Sequence, residues 1–118
     1  MVLKDGNKDL YIQQDKFGAQ FAADVPAVEA ALMAATQRPV TEAALHEASG
    51  APTWKTIPSW AIYGTADKNI PAAAMKFMAK RAGAKRIVEI ADASHVVMTS
   101  NPKQVAELIV EAAEATAN

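Results

Sequence analysis

The spacing of apolar residues changes character near residue 57. Before it, apolar positions recur every three or four residues in short stretches broken by proline and glycine. Phe17 and Phe21 stand four apart behind Asp15, a suitable N-cap, so a short helix is expected there. Gly18 weakens that helix by about 1 kcal/mol relative to alanine. Asp24-Val25-Pro26 opens a second helix, with Asp24 placed to cap it and Pro26 in its first turn. Val28, Leu32 and Ala35 supply its apolar spacing, Met33 lies alongside, and Gln37-Arg38-Pro39 stops it. Thr41 caps a third helix, Glu42 to about Ala48, with Ala44 and Leu45 inward. Ser49-Gly50-Ala51-Pro52 ends it and turns the chain. Ahead of these helices the N-terminus is polar, apart from Val2-Leu3 and from Leu10-Tyr11-Ile12, which reads as a strand remnant or a docking segment.

From Ile57 the order becomes strand, turn, helix, strand, turn, helix. Ile57 to Ile62 is a short apolar run rich in strand formers. Pro71 begins a helix carrying Met75, Met78 and Ala82 on one stripe, with Phe77 adjacent. Such a stripe packs in a core, and Gly83 closes the helix. Ile87, Val88 and Ile90 make a buried strand interrupted by Glu89. Asn101-Pro102 opens the last helix, whose stripe is Val105, Leu108, Ile109 and Ala112, and whose tail is expected to fray after Ala113. A β-α-β order demands a right-handed crossover and two parallel strands, which want both faces covered. Trp54 and Trp60 flank the passage between the halves and are expected to pack against the helical layer. The chain thus divides into a helical region, 1–56, and a β-α-β-α region, 57–118.

Composition trims this picture. At 118 residues there is room for one domain, and much of the 51% apolar content is alanine, so the core is thin. The net charge is −1 with acids and bases interspersed, which excludes the electrostatic footprint of a nucleic-acid binder. Lys80, Arg81, Lys85 and Arg86 form the densest basic cluster and read as a solvated helix end. The absence of cysteine removes disulfides and thiolate chemistry. No run reaches membrane-spanning length and the first residues lack a signal-peptide core, so a soluble, cytoplasmic protein without membrane contact is expected.

Candidate chemistry gathers at two strand ends. Asp67 follows the first strand within Tyr63-Gly64-Thr65-Ala66-Asp67-Lys68-Asn69-Ile70-Pro71, and His95 follows the second within Ala93-Ser94-His95. Open parallel sheets place their chemistry at the carboxyl ends of strands. A neutral histidine is the side chain suited to deprotonate a serine hydroxyl near pH 7, and its second nitrogen needs a buried carboxylate to fix its tautomer. Asp67 is the candidate acid; Asp92, three residues before His95, competes, and Glu89 within the strand is a weaker rival. Ser94 adjoins the base, but neighbours on an extended segment point apart, so it does not serve as the nucleophile. His46, beside Glu47, reads as a solvated helix-end residue. Two distant histidines without cysteine suggest no metal site, and Gly64-x-x-Asp67 lacks the lysine and glycines of a phosphate loop, so no cofactor is expected.

Gly64-x-x-Asp67 followed by Pro71, then Ser94-His95 after a strand, resembles the C-terminal end of α/β-hydrolase-fold enzymes, closest to the small esterase-like members. The resemblance covers nearly the whole chain. It implies an α/β fold: the C-terminal part of a hydrolase, a short parallel β-α-β-α unit preceded by a small helical lid-like layer. It further implies Asp67 as the acid and His95 as the base, with Phe17, Phe21 and Met33 of the lid facing an acyl substrate or the core. The departure is the G-x-S-x-G elbow: of Ser49, Ser59, Ser94 and Ser100, none has glycines at both flanking positions. Two readings stay open. One is a serine hydrolase of esters or similar acyl compounds, seen here without its nucleophile. The other is a non-enzymatic fragment that binds itself or a complementary N-terminal hydrolase portion. In both, a homodimer or higher oligomer is expected.

Overall fold

The computed structural model describes residues 6–117. The start of the polar N-terminal stretch, including Val2-Leu3, and Asn118 of the tail lie outside the described residues. In the first region, β1 (Asp9–Leu10) pairs antiparallel with β2 (Val40–Thr41), Asp9 opposite Thr41 and Leu10 opposite Val40. Between them run α1 (Gln14–Phe21) and α2 (Ala27–Thr36). The segment after β1 is also docked: the Gln37 amide donates to the Ile12 carbonyl and accepts from the Ile12 N–H, both at 2.9 Å. This satisfies one residue of extended backbone that lacks a ladder partner.

The two helices meet through small residues. Ala30 and Ala34 of α2 are buried against Phe17, Ala22 and Val25, and a Cβ added at Gly18 would sit 3.6 Å from the Ala30 Cβ. This reverses the expected face of α2. Val28 is 86% exposed and Leu32 64%, because alanine and glycine let the helix axes approach while branched side chains would hold them apart. The expected caps differ as well. Gln13 occupies the N-cap of α1, so Asp15 lies in its first turn, where the helix dipole favours an acid. Pro26 occupies the N-cap of α2, and the Asp24 side chain does not cap it. Thr41 does cap α3 (Glu42–His46), its Oγ1 accepting from Ala44 N–H at 3.2 Å. That helix ends two residues earlier than expected, at His46, and Ala44 and Leu45 face solvent rather than inward.

In the second region, β3 (Ala61–Gly64) and β4 (Ile87–Ile90) pair in parallel, Ala61 beside Ile87 through Gly64 beside Ile90. β3 is shorter than the apolar run that signals it: Ile57 is exposed, and a single 3-10 turn at Thr53–Lys55 leads into the segment. Among the described residues the other edge of β3 has no strand beside it. The connection is α4 (Ala72–Arg81), followed by Gly83 at φ +64°, the left-handed position that ends a helix. The buried residue of α4 is Ala79, and Met78 and Phe77 are exposed, so the methionine stripe is not the core contact it was expected to be. After β4 come α5 (Val97–Ser100) and α6 (Pro102–Thr116). Leu108 is the buried anchor of α6, while Ile109 of the same stripe is exposed. The helix does not fray after Ala113: the Ala117 N–H still donates to the Ala113 carbonyl at 2.9 Å. Asn101 stands at its N-cap without capping it, donating instead to Ser100 Oγ at 2.9 Å.

Two apolar clusters result. One joins α1 and α2 to Val96; the other packs Ile90, Ala93 and Val97 against Ile62, Val88 and Val105. The 93–97 segment belongs to both, so the histidine it carries sits at the seam. Trp54 and Trp60 line a groove with Ala82, Glu111 and Ala115, and the Arg81 guanidinium lies 5.6 Å from the Trp54 ring, so both indoles face α4 and α6 rather than the helical layer. Among the described residues no helix is long and apolar enough to cross a membrane.

Candidate active site

The loops that leave β3 and β4 are stitched together. Thr65 N–H donates to the Ile90 carbonyl at 2.9 Å, extending the ladder by one residue, and Ala66 N–H donates to the Ala93 carbonyl at 3.0 Å. Asp92 N–H donates to Thr65 Oγ1 at 2.9 Å, and Asp92 holds φ 57° to make the turn. The stitch demands glycine at the end of β3. A Cβ at Gly64 would lie 2.1 Å from the Ala93 carbonyl oxygen and 2.5 Å from that of Ser94. The Gly64-x-x-Asp67 pattern therefore has a steric cause: two backbones cross there with no room for a side chain.

Three residues past that crossing, Asp67 turns back under its own loop. Its Oδ1 accepts from Asn69 N–H at 2.7 Å and Ile70 N–H at 3.1 Å, an Asx-type closure that fixes the carboxylate. Oδ2 lies 2.7 Å from His95 Nδ1. The Asp67 side chain is 3% exposed and that of His95 29%. Burial pushes the Asp67 pKa up, while the Asn69 N–H, His95 and the Ile70 N–H pull it down, and the net shift is downward. The acid is therefore an ionised acceptor at neutral pH, and Nδ1 carries the proton it accepts. When the ring is neutral its lone pair is then at Nε2, which makes no hydrogen bond among the described residues. The geometry thus fixes the ring with Nδ1–H on Asp67 and leaves Nε2 without a hydrogen-bond partner among the described residues.

The rivals of Asp67 are elsewhere. Asp92 is exposed and its backbone faces Thr65. Glu89 accepts from the Tyr63 hydroxyl at 2.6 Å and pairs with Lys76 at 3.1 Å; burial and this carboxylate push the Tyr63 phenol up to about 12. Ser94 is buried at 2% exposure and its hydroxyl makes no hydrogen bond to His95 or any other described residue. His46 is exposed on α3, and among the described residues no three metal-ligating side chains converge.

The helical layer reaches the same rim. Phe21 stacks obliquely on His95, ring centroids 4.5 Å apart, and Phe17 lies 5.0 Å from Phe21. Phe17, Phe21 and Met33 line a cavity of about 610 Å³ with Leu10, Ile12 and Val40. The larger groove at Trp54 and Trp60, about 730 Å³, contains none of these groups and lies at the opposite end of the strands. The acid loop is tied to the end of α1: Lys68 Nζ donates to the Ala19 carbonyl at 3.0 Å, and Asn69 Nδ2 to the Gln20 carbonyl at 3.2 Å. These ties were not anticipated from the sequence. Each joins residues far apart in the chain, and no local pattern marks them.

A parallel strand pair that ends in an acid and a histidine, under a helical layer, is the arrangement of a hydrolase core. The sequence matches the alpha/beta hydrolase family over residues 3–108, and the chain belongs to that family. Three solved structures share its fold. A polyneuridine aldehyde esterase mutant aligns at 19% identity with a TM-score of 0.73, covering 87% of this chain and 42% of that one. The unmutated esterase aligns at 17% identity and 0.72, covering 95% and 49%. A methylesterase from Arabidopsis aligns at 14% identity and 0.74, covering 91% and 47%. The chain spans less than half the length of each. No curated protein matches it.

Proposed function

We propose that this chain supplies the acid and the base of a serine hydrolase acting on an ester or similar acyl substrate. The observation that carries the reading is the 2.7 Å contact between His95 Nδ1 and the buried Asp67 at the ends of two parallel strands. In the reaction, His95 Nε2 takes the proton from a serine hydroxyl as its oxygen attacks the acyl carbon, then returns that proton to the leaving alkoxide. Asp67 remains ionised and steadies the imidazolium. In this reading the serine is supplied by a complementary hydrolase segment that continues the same sheet. Helices α1 to α3 act as the lid, and Phe17, Phe21 and Met33 present the apolar wall for the acyl group.

The test has two arms. The purified chain alone is expected to hydrolyse a nitrophenyl ester no faster than its His95→Ala variant. Turnover that depends on His95 in the isolated chain would show that the nucleophile lies within it and overturn the division of labour. Combined with a hydrolase segment bearing G-x-S-x-G, the chain should gain esterase activity that falls roughly 10⁴-fold in His95→Ala.

A second reading rests on the bare edge of β3 and on exposed Val28, Leu32, Phe77 and Ile109. In it the chain is a self-associating, non-enzymatic module. An unpaired strand edge is a template for another chain, and two-fold dimers are the commonest outcome.

A further inference from the structure

The C-terminal end of α1 is closed by residues of the acid loop. The last turn of a helix leaves carbonyls without an intrahelical partner, and it favours a nearby cation. α1 has no basic residue in its own last turn. Lys68, 49 residues beyond Ala19, supplies one, its Nζ donating to the Ala19 carbonyl at 3.0 Å. Asn69 takes the next carbonyl: its Nδ2 donates to Gln20 O at 3.2 Å, and its Oδ1 accepts from Gln20 Nε2 at 3.2 Å. Asn69 and Gln20 thus clasp each other through two bonds. The same Asn69 serves the acid with its main chain, its N–H donating to Asp67 Oδ1 at 2.7 Å. Gln20 in turn precedes Phe21, whose ring centroid lies 4.5 Å from that of His95. Each member of the clasp leads to one of the groups that hold the imidazole: Asn69 to the carboxylate at Nδ1, Gln20 to the phenyl ring beside it.

We propose that Asn69 is a positioning residue that makes the seating of the helical layer and the setting of the Asp67–His95 pair a single event. This rests on the reading of Asp67 and His95 as acid and base, and it adds a control on that pair. The loop from 67 to 70 cannot swing away from His95 without uncapping α1. Nor can α1 lift without pulling on the residue whose N–H fixes Asp67. When α1 lifts, Phe21 leaves the ring and the carboxylate loses its brace together. A substrate that lifts α1 on entry meets a loosened pair, and the pair sets again as the layer closes over it.

Two NMR signals of His95 in the purified chain test the coupling. The shifts of its ring protons read Phe21, because an aromatic ring displaces the signals of protons beside it, and Phe21→Leu calibrates the displacement. The nitrogen-15 ratio of Nδ1–H to Nε2–H forms reads Asp67, and the wild type should hold the Nδ1–H form. Gln20→Ala removes one bond of the clasp from the helix side and leaves every residue of the acid loop in place. It should lower the ratio roughly threefold, as the loss of one neutral hydrogen bond does, and move the ring protons toward their Phe21→Leu positions. Asn69→Ala keeps the N–H to Asp67 but loses both side-chain bonds, and should lower the ratio roughly tenfold with the same movement of the ring protons. If Asn69→Ala does not fold, Gln20→Ala decides the matter. A change in one signal without the other overturns the proposal, as does a change in neither. Asp67→Ala separates it from the functional reading: that variant should lose the Nδ1–H preference with the clasp intact. Retention of the preference in Asp67→Ala would sink the acid assignment, and the coupling with it.

Discussion

Gly64→Ala should pull the Asp67–His95 hydrogen bond apart without touching either member. The added methyl would lie 2.1 Å from the Ala93 carbonyl oxygen, 2.5 Å from the Ser94 carbonyl oxygen and 2.6 Å from the Ala93 carbonyl carbon. All three are backbone atoms, so no rotamer change relieves the overlap. Carbon and oxygen settle at about 3.3 Å or more, so the β4 loop must retreat by roughly 1 Å. The retreat loads onto two bonds, Ala66 N–H to Ala93 at 3.0 Å and His95 to Asp67 at 2.7 Å. A heavy-atom separation stretched by that amount leaves the hydrogen-bonding range. Forcing a methyl into a filled site costs about 1–3 kcal/mol, which for a domain this small lowers Tm by roughly 4 °C or more per kcal/mol. Circular dichroism melting gives the stability, and the His95 tautomer ratio gives the geometry. A Gly64→Ala protein with unchanged Tm and an intact Nδ1–H signal would refute the claim that the backbone crossing sets the site.

Asp67→Asn should cost stability at neutral pH and progressively less in acid. A carboxylate whose folded pKa is depressed contributes stability above its unfolded value, near 3.9, and loses it as pH falls through the folded value. Urea unfolding at a series of pH values checks this, and a gap that widens in acid would contradict it. In a Tyr11→Phe background, absorbance titration should place the Tyr63 phenol at about 12, and Glu89→Gln should lower the midpoint only in part, since burial is the larger cause. No movement would remove Glu89 from the account. Light scattering on a size-exclusion column at micromolar concentration should give a mass above 12.5 kDa, and a clean monomer with cooperative unfolding would count against self-association.

The β-α-β order, the three helices before it and the Asp67–His95 pairing were legible because each has a local signal: apolar runs, proline and glycine breaks, and chemistry at strand ends. What was not legible depends on distance. The 3.6-residue spacing of Val28 and Leu32 marks one face of α2, but the face chosen is the one that lets Ala30 approach Gly18, and both faces of an alanine-rich helix look alike in sequence. Asp15, Asp24 and Asn101 all fit cap preferences, yet a neighbour one or two residues away takes the position, or the side chain finds a better partner. Gly64 was recognised as part of a pattern, while its cause, the Ala93 and Ser94 carbonyls in the loop after β4, needed coordinates.

The side of β3 that has no strand beside it among the described residues limits how another chain can add to the sheet. A two-fold axis that continues a sheet through identical edge strands pairs them antiparallel, which would send the two Asp67–His95 pairs to opposite ends of the joined sheet. A strand that runs with β3 ends on the same rim as Asp67, about 4.8 Å to the side. Only the second arrangement sets the end of the added strand beside the Asp67–His95 rim. One edge cannot accept both, so a second copy and a strand that runs with β3 compete for the same row of amides.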